Sequence, residues 1–144
     1  MRFFFYGTLL DRDVTALVLG RRLPPQAFEP ASLPGYSRWR GQGGSYPISI
    51  PDRKGEVEGC IVGGLSARDV ARLAAYEGSG YRVASLKVRV AGGLTRVSVF
   101  EPLVQKLQPT NRPWDLVLWQ RHDKRAFMAR LVQALSGRRG YSRQ

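Results

Sequence analysis

The sequence predicts a mixed α+β domain: a small, mostly antiparallel sheet curled into a partial barrel, with helices around it. Two observations predict this fold class. Strand-like segments outnumber helix-like ones, and two consecutive strands are joined by a turn short enough for a hairpin, which argues against a doubly wound parallel sheet. The 144 residues, 43% of them hydrophobic, are enough for one domain with a buried core. We expect that domain to span residues 1–136, with a basic, flexible tail at 137–144.

The first elements are a strand, a tight loop and a helix. Residues 2–6 form a short aromatic run that Gly7 stops, as in a buried strand that turns immediately afterwards. Asp11 is placed to cap a short helix, and Gly20 provides the left-handed residue that ends many helices.

Residues 21–55 are rich in proline, glycine and serine, so we expect turns to dominate there. Short strands are predicted near 36–39 and 46–50, on either side of the glycine-rich stretch 41–44, and a further strand covers 57–62. A lid over a ligand site is also expected within 21–55, because long irregular connections often have that role.

The second half begins with a helix over 67–76. Ser66 and Asp69 form a capping box, in which each side chain accepts a hydrogen bond from the other residue's backbone N–H. Apolar and polar side chains alternate over 85–90 and again beyond the turn at 91–94, so these two strands form an antiparallel hairpin.

The C-terminal part is predicted to be a proline-containing connection over 102–113 followed by a last helix. Apolar residues recur there at helical spacing, from Phe127 to Leu135, and Gly137 is expected to end the helix. The small, basic residues beyond Gly137 are the predicted tail.

The composition argues against several classes of function. One cysteine, Cys60, and one histidine, His122, are too few for a disulfide framework or a metal site built from these residues. The net charge of +12 suggests a polyanionic partner, but most arginines are scattered singly, which argues against nucleic acid. No apolar stretch reaches the ~20 residues of a membrane helix, and residues 1–6 are too short for a signal-peptide core. We therefore expect a cytoplasmic protein with no membrane partner.

Glu77 is the first candidate for chemistry. The apolar stripe of the predicted helix is Val70, Leu73 and Ala74, and Glu77 falls on that same inward face. Burial and the negative end of the helix dipole both raise a carboxyl pKa, which suits a group that takes and returns protons near neutral pH. The alternative is that the helix frays first and leaves Glu77 in a solvated turn with 78–80.

The loop Tyr6-Gly7-Thr8-Leu9 is the second candidate. A glycine just after a buried strand lets the backbone bend so that successive N–H groups point into one concavity. Such a concavity suits a carboxylate or a developing oxyanion. The alternative is an ordinary strand-to-helix turn that contains glycine and threonine.

These two features occur with others in a fixed order. Tyr46-Pro47 precedes an apolar residue, Tyr76-Glu77 leads through glycines into Tyr81-Arg82 and an alternating strand, and Trp114 and Trp119 open the last helix. With these motifs in this order, the sequence resembles the γ-glutamylcyclotransferase-like family, also called AIG2-like, over roughly residues 1–135.

The resemblance implies a small sheet closed into a partial barrel with helices around it, as predicted above. It implies that the main-chain amides of Tyr6, Gly7, Thr8 and Leu9 hold the α-carboxylate of a γ-glutamyl substrate. It also implies that Glu77 is the catalytic general acid/base and that Tyr81 helps to line the pocket; Tyr46 is a further candidate for the lining. The implied reaction forms 5-oxoproline and releases an amine or amino acid, with no cofactor, because the substrate supplies its own nucleophile.

The substrate branch and the activity itself are left open by the sequence. The loop residues Thr8-Leu9 are closer to the γ-glutamylamine branch than to the glutathione-pathway branch, where Ser-Asn occupies these positions. Two other hypotheses stay open: a non-catalytic module that binds a small metabolite on the same fold, and a basic nucleic-acid-binding protein. The preferred partner is a small γ-glutamyl molecule, and the oligomeric state is open.

Overall fold

The structure is a computed structural model that describes residues 1–44, 46–103 and 108–142, and the side chains of these residues up to Ser136. Two short 3-10 turns, Thr8–Leu10 and Pro25–Ala27, accompany the main elements. In chain order the strands and helices are β1 (Phe3–Phe5), α1 (Arg12–Leu19), β2 (Phe28–Gly41), β3 (Pro47–Val62), α2 (Ala67–Glu77), β4 (Tyr81–Val90), β5 (Gly93–Pro102), β6 (Pro109–Pro113), α3 (Leu116–His122) and α4 (Lys124–Ser142).

Five strands close into a barrel. The sheet order is β3-β1-β5-β4-β2-β6, and an additional pairing of β3 with β2 joins the two ends of the five-stranded part. β6 is attached to the outer edge of β2. Among the described strands β1 and β5 are the one parallel pair, and the other pairings are antiparallel. The predicted fold class is therefore confirmed.

The longest hairpin of the barrel, β2–β3, covers most of the segment in which turns were predicted to dominate. That prediction is wrong, because the short strands expected near 36–39, 46–50 and 57–62 are parts of two strands of 14 and 16 residues. The ladder shifts register between Pro34 and Tyr36. A strand tolerates proline at such a bulge, where a ladder hydrogen bond is already missing. The segment in which a lid was expected, residues 21–55, therefore forms mainly part of the barrel wall.

β1 supplies side chains to two separate cores, because successive residues of a strand point to opposite faces of the sheet. The barrel interior contains Phe4, Leu33, Val57, Ile61, Val88, Val97 and Val99. The core between the sheet and the helices contains Phe3, Phe5, Val14, Leu73, Phe100, Trp119 and Leu131. Fully burying each such side chain contributes about 1.5–3 kcal/mol relative to leaving it exposed. The sheet is thereby held firmly against α1, α2 and α4.

The predicted helix ends are confirmed at α1 and α2. Asp11 caps α1, since its carboxylate accepts the N–H groups of Asp13 and Val14 at 2.9 and 3.1 Å. Ser66 and Asp69 form the predicted capping box of α2. The β4–β5 hairpin is also confirmed, with Val90 paired to Gly93 at its turn.

The C-terminal part differs from prediction in two respects. The connection predicted over 102–113 contains strand β6, and the predicted last helix is divided into α3 and α4. The helix does not end at Gly137: α4 continues to Ser142. A single glycine costs a helix only about 1 kcal/mol relative to alanine, which is not enough to end it. The flexibility of 137–144 stays a prediction, and residues 143–144 lie outside the described part of the chain.

None of the helices in the described ranges combines the length and the apolar character that crossing a membrane requires.

Candidate active site

A cavity of about 310 Å³ lies between the C-terminal end of β1, the C-terminal end of α2, and α4. Its apolar lining comes from four phenylalanines, Phe4, Phe5, Phe100 and Phe127, and from Leu9 and Pro47. The seven site residues predicted from the sequence all line this one cavity: Tyr6, Gly7, Thr8, Leu9, Tyr46, Glu77 and Tyr81. The fold thus brings together segments that are separated by up to 75 positions in the sequence.

The loop after β1 is held in place at both ends. The buried Tyr6 hydroxyl donates to the Phe100 carbonyl oxygen at 2.8 Å, and Arg38 donates to the Tyr6 carbonyl oxygen at 2.7 Å. The chain then enters the turn Thr8–Leu10, where the N–H of Leu10 bonds to the Gly7 carbonyl at 2.9 Å. The first N–H groups of such a turn have no acceptor within it. Within the described residues no acceptor contacts the N–H of Thr8 or Leu9, so both can bind a ligand.

Gly7 is required for a different reason from the one the sequence suggested. Its φ of −131° lies outside the left-handed region that favours glycine, so a positive φ is not what the loop uses. A Cβ at this position would lie 2.4 Å from Cγ of Pro47. The absence of a side chain therefore lets β3 pass directly over the loop.

Glu77 is the last residue of α2, and the helix does not fray before it. Leu73 is fully buried on the same face, whereas Ala74, predicted to lie on that stripe, is exposed. Glu77 is half-buried at the cavity wall, and the desolvation of its carboxyl there raises its pKa to about 8. In the part of the chain that the structure describes, the carboxyl has neither a hydrogen-bond partner nor an ion pair.

Tyr76 belongs to the site and was not predicted. Its hydroxyl lies 2.5 Å from the Thr8 hydroxyl, and its ring packs edge-on against Phe127 with 6.5 Å between centroids. It therefore joins the loop, α2 and α4. In the sequence, only its position could have indicated this role: Tyr76 is three residues after Leu73 and therefore shares the inward face of α2.

Two further tyrosines, Tyr81 and Tyr46, line the same cavity. The Tyr81 hydroxyl donates to the Pro47 carbonyl at 3.3 Å, and Tyr46 lies at the cavity edge with its hydroxyl 3.4 Å from the Gln42 carbonyl. Burial, reinforced by the negative charge of Glu77, raises the pKa of both Tyr6 and Tyr81 well above the ordinary value. These two phenols are therefore neutral at physiological pH, and each already donates its proton, Tyr6 to the Phe100 carbonyl and Tyr81 to the Pro47 carbonyl. Tyr36, whose hydroxyl donates to Glu101 at 2.8 Å, lies outside the cavity.

The charge pattern of the cavity is simple. Among its described lining residues Glu77 is the one carboxylic acid, and none has a basic side chain. A carboxyl with a pKa near neutrality can accept a proton and return it during one turnover. Because the rest of the lining is aromatic or apolar, water competes little for that carboxyl and electrostatic effects are strong. Within the described ranges no cluster of three or more His, Cys, Asp or Glu side chains is arranged to hold a metal ion.

Comparison with known proteins gives a consistent family. A family model described as "Gamma-glutamyl cyclotransferase, AIG2-like" matches residues 3–116. AIG2-like protein A of Arabidopsis thaliana is 32% identical over 133 residues, which cover 87% of this chain and 75% of that protein. A solution structure of an Arabidopsis thaliana protein superposes with a TM-score of 0.67 at 26% identity, covering 95% of this chain and 91% of the other. A structure named "Gamma-glutamyl cyclotransferase" gives a TM-score of 0.54 at 19% identity over 70% of this chain and 65% of that one, a likeness of fold alone.

Proposed function

Because the chain belongs to the gamma-glutamyl cyclotransferase, AIG2-like family, we propose that it is an enzyme that cyclises a γ-glutamyl group to 5-oxoproline and releases an amine or amino acid. The observation that carries this proposal is the Glu77 carboxyl, which lines the cavity without a hydrogen-bond or ion-pair partner among the described residues and has a pKa of about 8. It shares one cavity with the loop at residues 6–9. A base and a binding loop in one small cavity are the two parts that this reaction needs.

The loop at 6–9 would bind the α-carboxylate of the substrate. The N–H groups of Thr8 and Leu9 have no acceptor among the described residues, and paired backbone amides of this kind bind carboxylates well. With the α-carboxylate fixed at one end of the cavity, the adjacent α-ammonium group lies within the same enclosed space as Glu77. The binding loop thus selects which part of the substrate meets the carboxyl.

Glu77 would act first as a base and then as an acid. Its carboxylate removes a proton from the α-ammonium group, and the freed amine attacks the γ-carbonyl carbon to close a five-membered ring. The bond from that carbon to the departing nitrogen then breaks, and Glu77 returns the proton to the departing amine. Over the whole reaction two protons leave the α-nitrogen and two reach the departing nitrogen, so the enzyme ends as it began.

Most of the acceleration beyond proton transfer would come from geometry. The nucleophile and the carbonyl belong to one molecule, so no bimolecular encounter is needed, and the protein contributes by holding the two groups in reacting positions. The protein must therefore fold the flexible γ-glutamyl chain back on itself. The narrow aromatic cavity is suited to that, because it excludes extended conformations.

Within this reaction we propose the γ-glutamylamine branch for the substrate, on the basis of the Thr8-Leu9 pair in the loop. A cytoplasmic location stays a prediction from the sequence. The competing hypothesis is a metabolite-binding module with the same cavity and no turnover.

The test is release of 5-oxoproline from a panel of γ-glutamyl amines, γ-glutamyl amino acids and glutathione. Wild type would be assayed beside Glu77→Gln, with Glu29→Gln as the matched control, since Glu29 is exposed and far from the cavity lining. We expect Glu77→Gln to lower turnover by about 10²–10⁴-fold and Glu29→Gln to leave it unchanged. Equal activity in all three proteins would disprove the role of Glu77. Saturable binding of a γ-glutamyl compound without turnover would favour the binding module.

A further inference from the structure

A second cavity, of about 460 Å³, lies where the β2–β3 turn meets β6 and the junction of α3 with α4. Its charged lining is formed by Arg40, Arg112, Arg130 and Asp123, and His122 lies beside them. The remaining lining is small, and includes the glycines at 41, 43 and 44. We call this cavity the arginine cleft; no residue of it belongs to the site described above.

The arginine cleft carries positive charge that nothing in the described residues neutralises. Arg40 and Asp123 form a bidentate pair with both N–O distances at 3.0 Å, so that pair is neutral. Arg112 and Arg130 are exposed and have no ion pair among the described residues. Two uncompensated guanidinium groups therefore face one concave surface, with the imidazole of His122 beside them.

The frame around these two arginines is well ordered by hydrogen bonds. The Thr110 hydroxyl donates to the Arg40 carbonyl at 2.8 Å and accepts the Arg112 N–H at 3.2 Å, which ties β6 to β2. Arg40 is held by Asp123 at the α3–α4 junction. The backbones that carry Arg112 and Arg130 are thus fixed by strand β6 and helix α4, and only their side chains must order when a ligand binds.

Gly43 leaves one part of the floor of the arginine cleft open, whereas the Tyr46 ring lies against Gly41 and Gly44. Gly43 has a φ of +75°, a conformation that favours glycine, and no heavy atom lies within 4 Å of the position its Cβ would occupy. A ligand in the cleft can therefore contact the backbone at Gly43 as well as the side chains of the arginines.

The chemistry of these groups selects a compact, doubly charged anion. A guanidinium presents a planar fork of N–H donors that matches two oxygens of a phosphate, and two such forks match the charge of a phosphate monoester. The volume of the arginine cleft, about 460 Å³, lies in the range of ordinary small-molecule sites. The described lining residues include no Phe, Tyr or Trp on which unpaired bases would stack, so the chemistry of the cleft fits a phosphate group better than a nucleic-acid strand.

We propose that the arginine cleft is a second ligand site, which binds the phosphate group of a small phosphorylated molecule, or free phosphate, through Arg112 and Arg130. The cleft and the candidate active site share a wall: the Tyr46 ring, which lines the first cavity, packs against Gly41 and Gly44, which line the second. Binding in the arginine cleft is nevertheless a separate property, and it is measurable without any turnover.

The experiment is titration of the ¹⁵N-labelled protein with inorganic phosphate and with glycerol phosphate, at constant ionic strength set with chloride. We expect saturable shifts at the amides of Gly43 and Gly44. In Arg112→Gln/Arg130→Gln the affinity should fall at least about tenfold, since both guanidinium groups that would donate charge-assisted hydrogen bonds to the anion are removed. The matched control is Arg53→Gln/Arg68→Gln, which removes two exposed arginines that have no ion pair among the described residues and lie outside this cavity.

Comparison of the two ligands distinguishes a phosphate ester from free phosphate as the natural ligand. Stronger binding of glycerol phosphate than of phosphate assigns the site to a phosphate ester, and the reverse assigns it to the free ion; both support the proposal. Equal weakening in the two double variants would show general charge attraction and overturn it. Shifts that do not saturate, or tight binding of a 12-nucleotide single strand with no phosphate binding, would overturn it as well. Thermal unfolding of both double variants checks that the fold is intact, which we expect because the replaced side chains are exposed.

Discussion

The hydroxyl oxygens of Thr8 and Tyr76 lie 2.5 Å apart, although the two residues are 68 positions apart in the sequence. This hydrogen bond connects the loop after β1 to the last turn of α2, the turn that ends in Glu77. The proposed binding groups and the proposed base are therefore held at one distance from each other. A reaction between two ends of one small substrate requires that the groups binding one end and the base acting on the other stay at a fixed separation.

Removal of that connection should weaken substrate binding more than folding. In Tyr76→Phe the hydrogen bond is lost but the ring keeps its packing on Phe127. We expect KM for the best γ-glutamyl substrate to rise several-fold, with a loss of about 1 kcal/mol in the free energy of unfolding. The matched control is Tyr36→Phe, which removes a hydroxyl bonded to Glu101 outside the cavity. An unchanged KM in Tyr76→Phe, or an equal rise in both variants, would contradict this role.

The pH dependence of activity should follow Glu77. With a pKa of about 8, the carboxyl is largely protonated at neutral pH and must lose its proton to act as a base. We therefore expect kcat/KM to rise by about tenfold per pH unit below that value and to level off above it. A ¹³C NMR titration of labelled glutamate should show one carboxyl with a raised pKa, absent in Glu77→Gln. A profile that is flat from about pH 6 to 8 would refute the assignment.

The stability of the fold should fall with rising pH because of the same group. Its native pKa is about 8 and its ordinary value is 4.5, so between these values the unfolded chain has lost a proton that the native protein keeps. The free energy of unfolding must then decrease as pH rises through this range. Glu77→Gln removes the effect, so the variant should gain stability relative to wild type at about pH 8 and little at about pH 5. Urea unfolding at both pH values measures this, and an equal difference at both would contradict it.

Gly7 should tolerate no side chain. In Gly7→Ala the new Cβ would lie 2.4 Å from Pro47 Cγ, so either the loop or β3 must move. We expect a loss of about 1–3 kcal/mol in the free energy of unfolding and a large loss of activity. Gly92→Ala is the control, because no heavy atom lies within 4 Å of that position in the β4–β5 turn. Normal activity in Gly7→Ala would show that the close contact is unimportant.

Arg38 should be needed to hold the loop from behind. Its guanidinium donates to the carbonyl oxygens of Tyr6, Glu58 and Trp114 at 2.7, 3.0 and 3.2 Å. Burial lowers the pKa of Arg38, but these acceptors offset the cost of its charge. Arg38→Lys cannot reproduce this fork, and we expect a loss of about 2 kcal/mol or more in the free energy of unfolding together with a raised KM. The exposed Arg89→Lys is the control; similar losses in both variants would argue against a specific role.

The sequence alone determined the features that depend on near neighbours. The cap of α1, the capping box of α2 and the β4–β5 hairpin follow from residues only a few positions apart, whose hydrogen bonds form within the element itself. Helical periodicity likewise placed Glu77 on the inward face of α2. The motif order along the chain was enough for the family and the fold class.

The tertiary structure decided what depends on contacts between distant segments. The long β2–β3 hairpin exists because each strand pairs with neighbours that close a barrel, and this pairing overrides the local preference of proline and glycine for turns. Tyr76 and the arginine cleft could not be found from periodicity, since their partners lie 68 or more positions away or on other elements. The need for a glycine at position 7 likewise depends on Pro47, which only the folded chain brings above it.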